Sequence, residues 1–460
     1  MSFNIDETRS DFPILEKKVY DKKLIYLDSA ASAQKPKSVI NSMKSFQEEE
    51  YANVHRGIHY LSNLATDQYE LSRKKVKDFI NANNEDEIIF TMGATDAINL
   101  VAQSLAYNFF NEGDEIILTV MEHHSNIVPW HFLREKCGVK IKWIDCDDNG
   151  IIKVEDFLNT ITNKTKLISI TQMSNVLGSE IPLKEIIKVA HDNNIRVLVD
   201  GCQGIAHLDT DVQDLDCDYY VFSGHKLYGP TGVGVLYGKY DLLESMYPWR
   251  GGGEMIKEVF KDQVTYSKPP AKFEAGTPNI VQAVGLGAAI DYFAEKKKQG
   301  LFNYEEEIAK YLVKIGQGAL TENMSLRIQA LHKIISNLER VGDIYFRMSL
   351  TLEKKRDNKI WFTQSQRNKL YGYFELIDKT FSVVQKHLDN EFKANSIDEA
   401  VDLENQNNQL QSKLRVSHIE ELENGEYDFK SAIHYRDLFM ACEKVGDHLI
   451  NVSEAMQLKI

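Results

Sequence analysis

The chain divides by pattern into an α/β part, a mostly parallel sheet flanked by helices, followed by an all-α antiparallel helical bundle. Two observations predict this. Between residues 87 and 223, short apolar β-branched runs alternate with segments whose apolar residues recur at helical spacing. Parallel strands need a helix-length crossover, so the alternation implies a mostly parallel sheet covered on both faces. From about Phe302 the alternation stops, glycine and proline become scarce, and long heptad-like apolar patterns imply a bundle. The expected domains are residues 1–300 and 301–460.

With 460 residues the chain is long enough for two or three cores. A formal net charge of −14 argues against a nucleic-acid partner, since phosphate contacts need clustered Lys and Arg. No apolar run reaches the roughly 18 to 20 residues of a membrane span, and Met1 to Arg9 lacks a signal-peptide pattern, so the expected location is cytoplasmic. The five cysteines, Cys137, Cys146, Cys202, Cys217 and Cys442, form no ligand-spaced cluster, which fits reduced thiols.

In chain order, an acidic helical start precedes the apolar run Leu24 to Leu27, which ends in Asp28-Ser29-Ala30-Ala31. Asn53-Val54-His55-Arg56-Gly57 is a polar loop that suits either a site or a solvated connection. Helical spacing covers residues 66–83. Strands are expected at Glu87–Thr91, Asp114–Val120, Val139–Ile144, Leu167–Met173, Arg196–Asp200 and Tyr219–Phe222, with helices from Thr95, Asn126 and Val154 and over Leu183–Asp192. In such sheets ligands sit beyond the carboxyl ends of the strands. There Met92-Gly93-Ala94-Thr95 opens a helix whose free N–H groups favour a phosphate, although Thr95 also suits an ordinary cap. Glu122-His123-His124 offers one imidazole to a cofactor, because adjacent side chains diverge. Asp200 ends a buried strand and needs a cation. Ser223-Gly224-His225-Lys226 places an amine beside small and polar groups, the arrangement of an anchor for an aldehyde such as that of pyridoxal phosphate.

Residues Tyr26 to about Ala294 resemble the large domain of group II cysteine desulfurases, of the class V aminotransferase fold (fold-type I). The resemblance rests on Glu122-His123-His124-Ser125-Asn126-Ile127-Val128-Pro129-Trp130, Val199-Asp200-Gly201-Cys202-Gln203, Ser223-Gly224-His225-Lys226-Leu227-Tyr228-Gly229-Pro230, Gly251-Gly252-Gly253-Glu254-Met255-Ile256 and Phe273-Glu274-Ala275-Gly276-Thr277-Pro278. It implies pyridoxal 5'-phosphate, a homodimer, L-cysteine converted to L-alanine, and sulfur passed to an acceptor protein for iron-sulfur cluster assembly. By resemblance, Lys226 carries the cofactor and moves the Cα proton, and Asp200 holds the ring nitrogen protonated. His123 stacks on the ring, while Gln203 and Asn175 reach the phenolic oxygen and substrate region. Thr95, Ser223 and His225 bind phosphate, Thr277 reaches the phosphate of a neighbouring subunit, and His55 and Arg56 border the substrate pocket.

The resemblance also implies a later Arg-x-Gly-x-x-Cys loop bearing the sulfur-accepting cysteine, and this sequence has none. After Lys226 its only cysteine is Cys442, inside a helical pattern, and Cys202 sits beside the ring position. Cofactor binding with impaired desulfurase turnover is therefore expected, the other reading being a non-catalytic or chimeric cofactor-binding protein.

Helices are expected over Tyr304–Gly316, Ser325–Arg356, Thr363–Ala394, Ser396–Glu421 and Tyr427–Met456. Leu338-Glu339-Arg340-Val341-Gly342-Asp343 recurs as Cys442-Glu443-Lys444-Val445-Gly446-Asp447. With His434-Tyr435-Arg436-Asp437 upstream, the repeat resembles PhoU-like domains of the sodium-phosphate cotransporter type. That resemblance implies a divalent metal held by Glu339, Asp343, Glu443 and Asp447. The same pattern suits a bundle in which glycine permits close helix approach and the acids pair with Arg or Lys. Two origins of the joint near Tyr304 to Tyr311 stay open, a natural fusion or a recombined reading frame.

Overall fold

A computed structural model describes residues 4–19, 21–147, 150–304, 322–389 and 397–456. The chain separates into two compact units, Met1–Glu307 and Ile308–Ile460.

The first unit is built on seven strands: β1 (Ile88–Thr91), β2 (Glu115–Thr119), β3 (Lys140–Ile144), β4 (Thr165–Thr171), β5 (Arg196–Asp200), β6 (Tyr219–Ser223) and β7 (Gly234–Gly238). Their spatial order is β1-β7-β6-β5-β4-β2-β3. The pairs from β6 through to β3 are parallel, and β7 runs antiparallel to both its neighbours, β1 and β6. The longer helices are α1 (Lys37–Ser45), α2 (Tyr60–Phe79), α3 (Ala94–Leu105), α4 (Val128–Cys137), α5 (Leu183–Asp192) and α6 (Ile280–Lys298), and the helix expected from Val154 is short, Val154–Thr160.

Side chains alternate across a strand, so an all-apolar strand is hydrophobic on both faces and needs helices on each. One face presents Ile117, Ile168, Val197, Val199, Tyr220 and Phe222 to Tyr69 and Val76 of α2, Ile186 of α5 and Leu286 of α6. The other presents Ile116, Leu118, Leu167, Leu198 and Val221 to Ala97, Ile98 and Val101 of α3 and to Trp130 and Leu133 of α4. The edge strand β3 is only partly buried.

The sequence reading missed β7. Its five residues are bracketed by glycines, and no α-helix separates it from β6. A connection too short for a crossover forces the antiparallel direction. The acidic start forms only a short helix, Ile5–Ser10, whose Asn4 side chain accepts the Glu7 N–H.

The second unit contains α7 (Glu322–Asp357), α8 (Gln364–Asp389), α9 (Asp398–Glu423) and α10 (Phe429–Met456). Helix α10 packs on the other three, and its Tyr435, Phe439, Cys442, Val445 and Leu449 form a core with Val341, Ile344, Tyr373, Ile377 and Leu414. The helix expected over Tyr304–Gly316, and with it the joint between the two resemblances, lies from residue 305 onward outside the described residues. So do the expected helix ends at Ala394 and Ser396.

The structure does not support the metal site expected at Glu339, Asp343, Glu443 and Asp447. Among the described residues no group of three or more His, Cys, Asp or Glu is placed to hold an ion. The register that buries Val341 and Ile344 leaves Glu339 and Asp343 exposed, whereas Glu443 and Asp447 are half-buried. The two glycines of the repeat also differ. A Cβ on Gly446 would lie 1.9 Å from Asn407 Nδ2, so glycine is what lets α9 approach α10, while Gly342 has nothing within 4 Å of that position. Among the described residues no helix is long and apolar enough to cross a membrane.

Candidate active site

Strands β2, β4, β5 and β6 are parallel, and β1 shares the direction of β6 because both oppose β7. Their carboxyl ends therefore emerge along one edge. Lys226 closes the single turn Gly224–Lys226 after β6, and Asp200 ends β5. Asn175 follows β4, His123 follows β2, and Thr95 lies in the first turn of α3 after β1. Together with Gln203, Ser223 and His225 they line one cavity of about 470 Å³. Thr277, His55 and Arg56 instead line a second cavity, of about 330 Å³.

At the start of α3, Gly93 has φ +152°, and a Cβ on Gly234 would lie 2.5 Å from its Cα. Only glycine permits that approach. It leaves Ala94 N–H donating to Ser223 Oγ at 2.9 Å, which stitches the helix start to the end of β6. The N-cap residue Gly93 has no side chain to cap α3, so the amides that follow Ala94 are available to an anion.

Asp200 is 3% exposed. Its Oδ1 accepts the Cys202 N–H at 3.0 Å, and among the described residues it has no ion-pair partner. Cys202 Sγ lies 4.0 Å from Ser223 Oγ, and burial pushes its thiol well above the ordinary value. His123 Nδ1 contacts Ser125 Oγ at 2.8 Å and accepts the Ser125 N–H at 3.1 Å. Burial lowers its pKa against the opposing charge of Asp200, so the ring is neutral at neutral pH. Burial, with Lys226 and Lys35, also lowers the pKa of His225, whose Nδ1 lies 3.2 Å from Ser32 Oγ.

Sequence reasoning missed two supports. The N-terminal segment closes the cavity: Gln203 Nε2 donates to Ala30 O at 2.9 Å, and Lys35 Nζ donates to His225 O at 3.1 Å. Next to His123 in the chain, Glu122 is buried and accepts from Thr119 Oγ1 and Asn126 Nδ2, both at 2.7 Å. Burial pushes this carboxyl up to about 8, so it is protonated at neutral pH. A carboxylate shortly after an apolar strand, two residues beyond the expected end at Val120, was the available signal.

At the second cavity, Glu274 accepts from Arg73 Nη1 and Nη2 at 2.7 and 2.9 Å, from Phe90 N at 2.7 Å and from Tyr69 Oη at 3.0 Å. These bonds fix the loop that carries Thr277. Arg56 pairs with Glu254, and His55 Nε2 lies 2.9 Å from Glu70 Oε1.

The first cavity fits pyridoxal phosphate by its donor set. It joins an amine, a buried carboxylate lacking a cation, and an uncapped helix start beside a hydroxyl and an imidazole.

The model of the aminotransferase class-V family matches residues 25–335. A cysteine desulfurase of Pectobacterium atrosepticum is 49% identical over 312 residues, 68% of this chain and 77% of the relative. One of Synechococcus elongatus is 44% identical over 328 residues, 71% of this chain; the chain spans about half of that relative, 52%. Among solved structures, an Escherichia coli cysteine desulfurase aligns with TM-score 0.59 and 42% identity, covering 64% of this chain and 72% of that one. A lysine-to-alanine mutant of another protein, with glycine covalently linked to its PLP cofactor, aligns at TM-score 0.55 and 25% identity over 63% of this chain and 74% of its own.

Proposed function

The chain belongs to the aminotransferase class-V family, and from that premise we propose that it binds pyridoxal phosphate and acts on L-cysteine in the manner of a cysteine desulfurase. The observation that carries the reading is the shared cavity of Lys226, Asp200 and His123 at the carboxyl edge of the sheet. Lys226 would hold the aldehyde carbon, Asp200 the ring nitrogen, and His123 the ring face. Ser223, His225, Thr95 and the amides of α3 that follow Ala94 would hold the phosphate. Bound there, the group supplies an electron sink for negative charge at the amino acid's Cα. Asp200, buried without another cation, favours a protonated partner. The amine of Lys226 takes and returns the Cα proton, and the neutral His123 ring accepts a proton without first losing one.

Asn175 and Gln203 would contact the substrate region. His55, Arg56 and Thr277, gathered at the other cavity, would serve the neighbouring site of a homodimer. The sulfur-accepting step is the weak one within these 460 residues. Cys202 and Cys442 are buried thiols, and burial pushes Cys442 up to about 12, so neither is a ready thiolate. That observation favours a second reading, a cofactor-binding protein with slow or no sulfur transfer to an acceptor protein. The repeat on α7 and α10 supports assigning the bundle to the PhoU-like type as a regulatory module.

Purified chain loaded with the cofactor should show the visible absorption of a lysine-bound aldehyde, lost in Lys226→Ala. Product analysis with L-cysteine then separates the readings. Rapid alanine and persulfide formation would overturn the slow-transfer reading, and absence of the absorption band would overturn both.

A further inference from the structure

The helical unit contains a cavity that the desulfurase reading does not use. It opens between α7, α9 and α10 with a volume of about 880 Å³, the size range of small-molecule sites. Its inner wall is apolar: Ile344 and Met348 of α7 meet Phe439 and Met440 of α10, and Phe439 is fully buried. Its mouth is cationic. Arg347, Arg415, Arg436 and Lys444 converge there from three helices, against the carboxylates of Glu423 and Asp437.

These cations are poorly satisfied. Arg436 reaches Asp437 at 3.4 Å, and Arg347 Nε reaches only the Asp343 carbonyl at 3.4 Å. The side chains of Arg415 and Lys444 have no hydrogen bond or ion pair to any other described residue. Clustering four cations around one opening costs self-repulsion, which an anion would relieve, and it stands out in a chain of net charge −14. His418, also in the lining, is buried, and burial together with Arg436 lowers its pKa, so the inner wall carries no added charge at neutral pH.

We propose that this cavity binds a small anionic amphiphile, its phosphate or carboxylate head held by Arg347, Arg415, Arg436 and Lys444 and its apolar body seated on Met348, Phe439 and Met440. The apolar wall distinguishes this ligand from a free inorganic anion, and the charged mouth distinguishes it from a neutral lipid. The inference is independent of the reading of the first unit.

The test uses the full chain and isothermal titration calorimetry. The probes are decyl phosphate below its micelle concentration, inorganic phosphate, and decyl maltoside as the neutral-headed control. The expected result is one saturable site for decyl phosphate, with affinity at least about tenfold above either control. It should be lowered about tenfold or more in Arg415→Ala/Lys444→Ala, two exposed positions whose loss removes charge without opening the core. Met440→Glu should weaken binding without unfolding, checked by far-UV circular dichroism melting. Binding of inorganic phosphate as tight as decyl phosphate, or an unchanged affinity in the double variant, overturns the proposal. So does the absence of saturable binding in the folded wild type.

Discussion

Replacing Glu274 with alanine is the most direct perturbation of the loop that carries Thr277. Arg73 and Glu274 are buried, with side chains 2% and 7% exposed. Removing the carboxylate strands the guanidinium together with the Phe90 N–H and the Tyr69 hydroxyl. Breaking a buried pair by deleting one partner costs about 3–5 kcal/mol. Arg73 keeps Glu70 at 2.8 Å and the Ile88 carbonyl at 2.7 Å, so the low end, about 3 kcal/mol, is expected. At roughly 2–4 °C per kcal/mol for a unit of this size, the first unit should melt about 6–12 °C lower. Scanning calorimetry of the full chain measures this on the transition that assigns to the first unit. The variant Arg73→Met/Glu274→Leu, which replaces the pair with apolar groups, should lose less than Glu274→Ala alone. A loss below about 1 kcal/mol, the worth of an exposed ion pair, would refute the assignment of this cluster as the anchor.

Three further outcomes follow from the same geometry. Burial raises the Glu122 carboxyl from 4.5 to about 8, so between those values the folded state holds a proton that the unfolded state releases. Stability should therefore fall as pH rises across that window; Glu122→Gln should remove that part of the slope in urea midpoints measured against pH, and an unchanged slope would count against the buried neutral acid. Gly446→Ala drives a methyl into Asn407 and should destabilise the bundle by about 1–3 kcal/mol; Gly342→Ala meets nothing and should be neutral or stabilising by up to about 1 kcal/mol, read from thermal melts. Thiol titration of the native chain should find Cys137 and Cys146 reactive and Cys202, Cys217 and Cys442 protected until denaturant is added, because the last three are buried. Rapid reaction of a third thiol would contradict that burial.

The sequence by itself determined the repeating α/β pattern, the bundle after it, and the chemistry at the strand ends. These are local properties: a strand's apolar run or a helix's spacing sets which face is buried, and parallel strands put their terminal residues at a common edge. That is why Lys226, Asp200, His123 and Thr95, far apart in the chain, could be read as one cluster and line one cavity. Periodicity does not specify which element a face meets, and there tertiary structure decided. It inserted β7 between β1 and β6, placed His55, Arg56 and Thr277 at a separate cavity, and buried the Glu122 carboxyl so that it stays neutral. The repeated Glu-x-x-x-Asp signature reads identically on α7 and α10. Packing nevertheless leaves one pair exposed and half-buries the other, and it gives Gly446 a helix contact that Gly342 lacks. Those differences depend on contacts between residues distant in sequence, which no local pattern encodes.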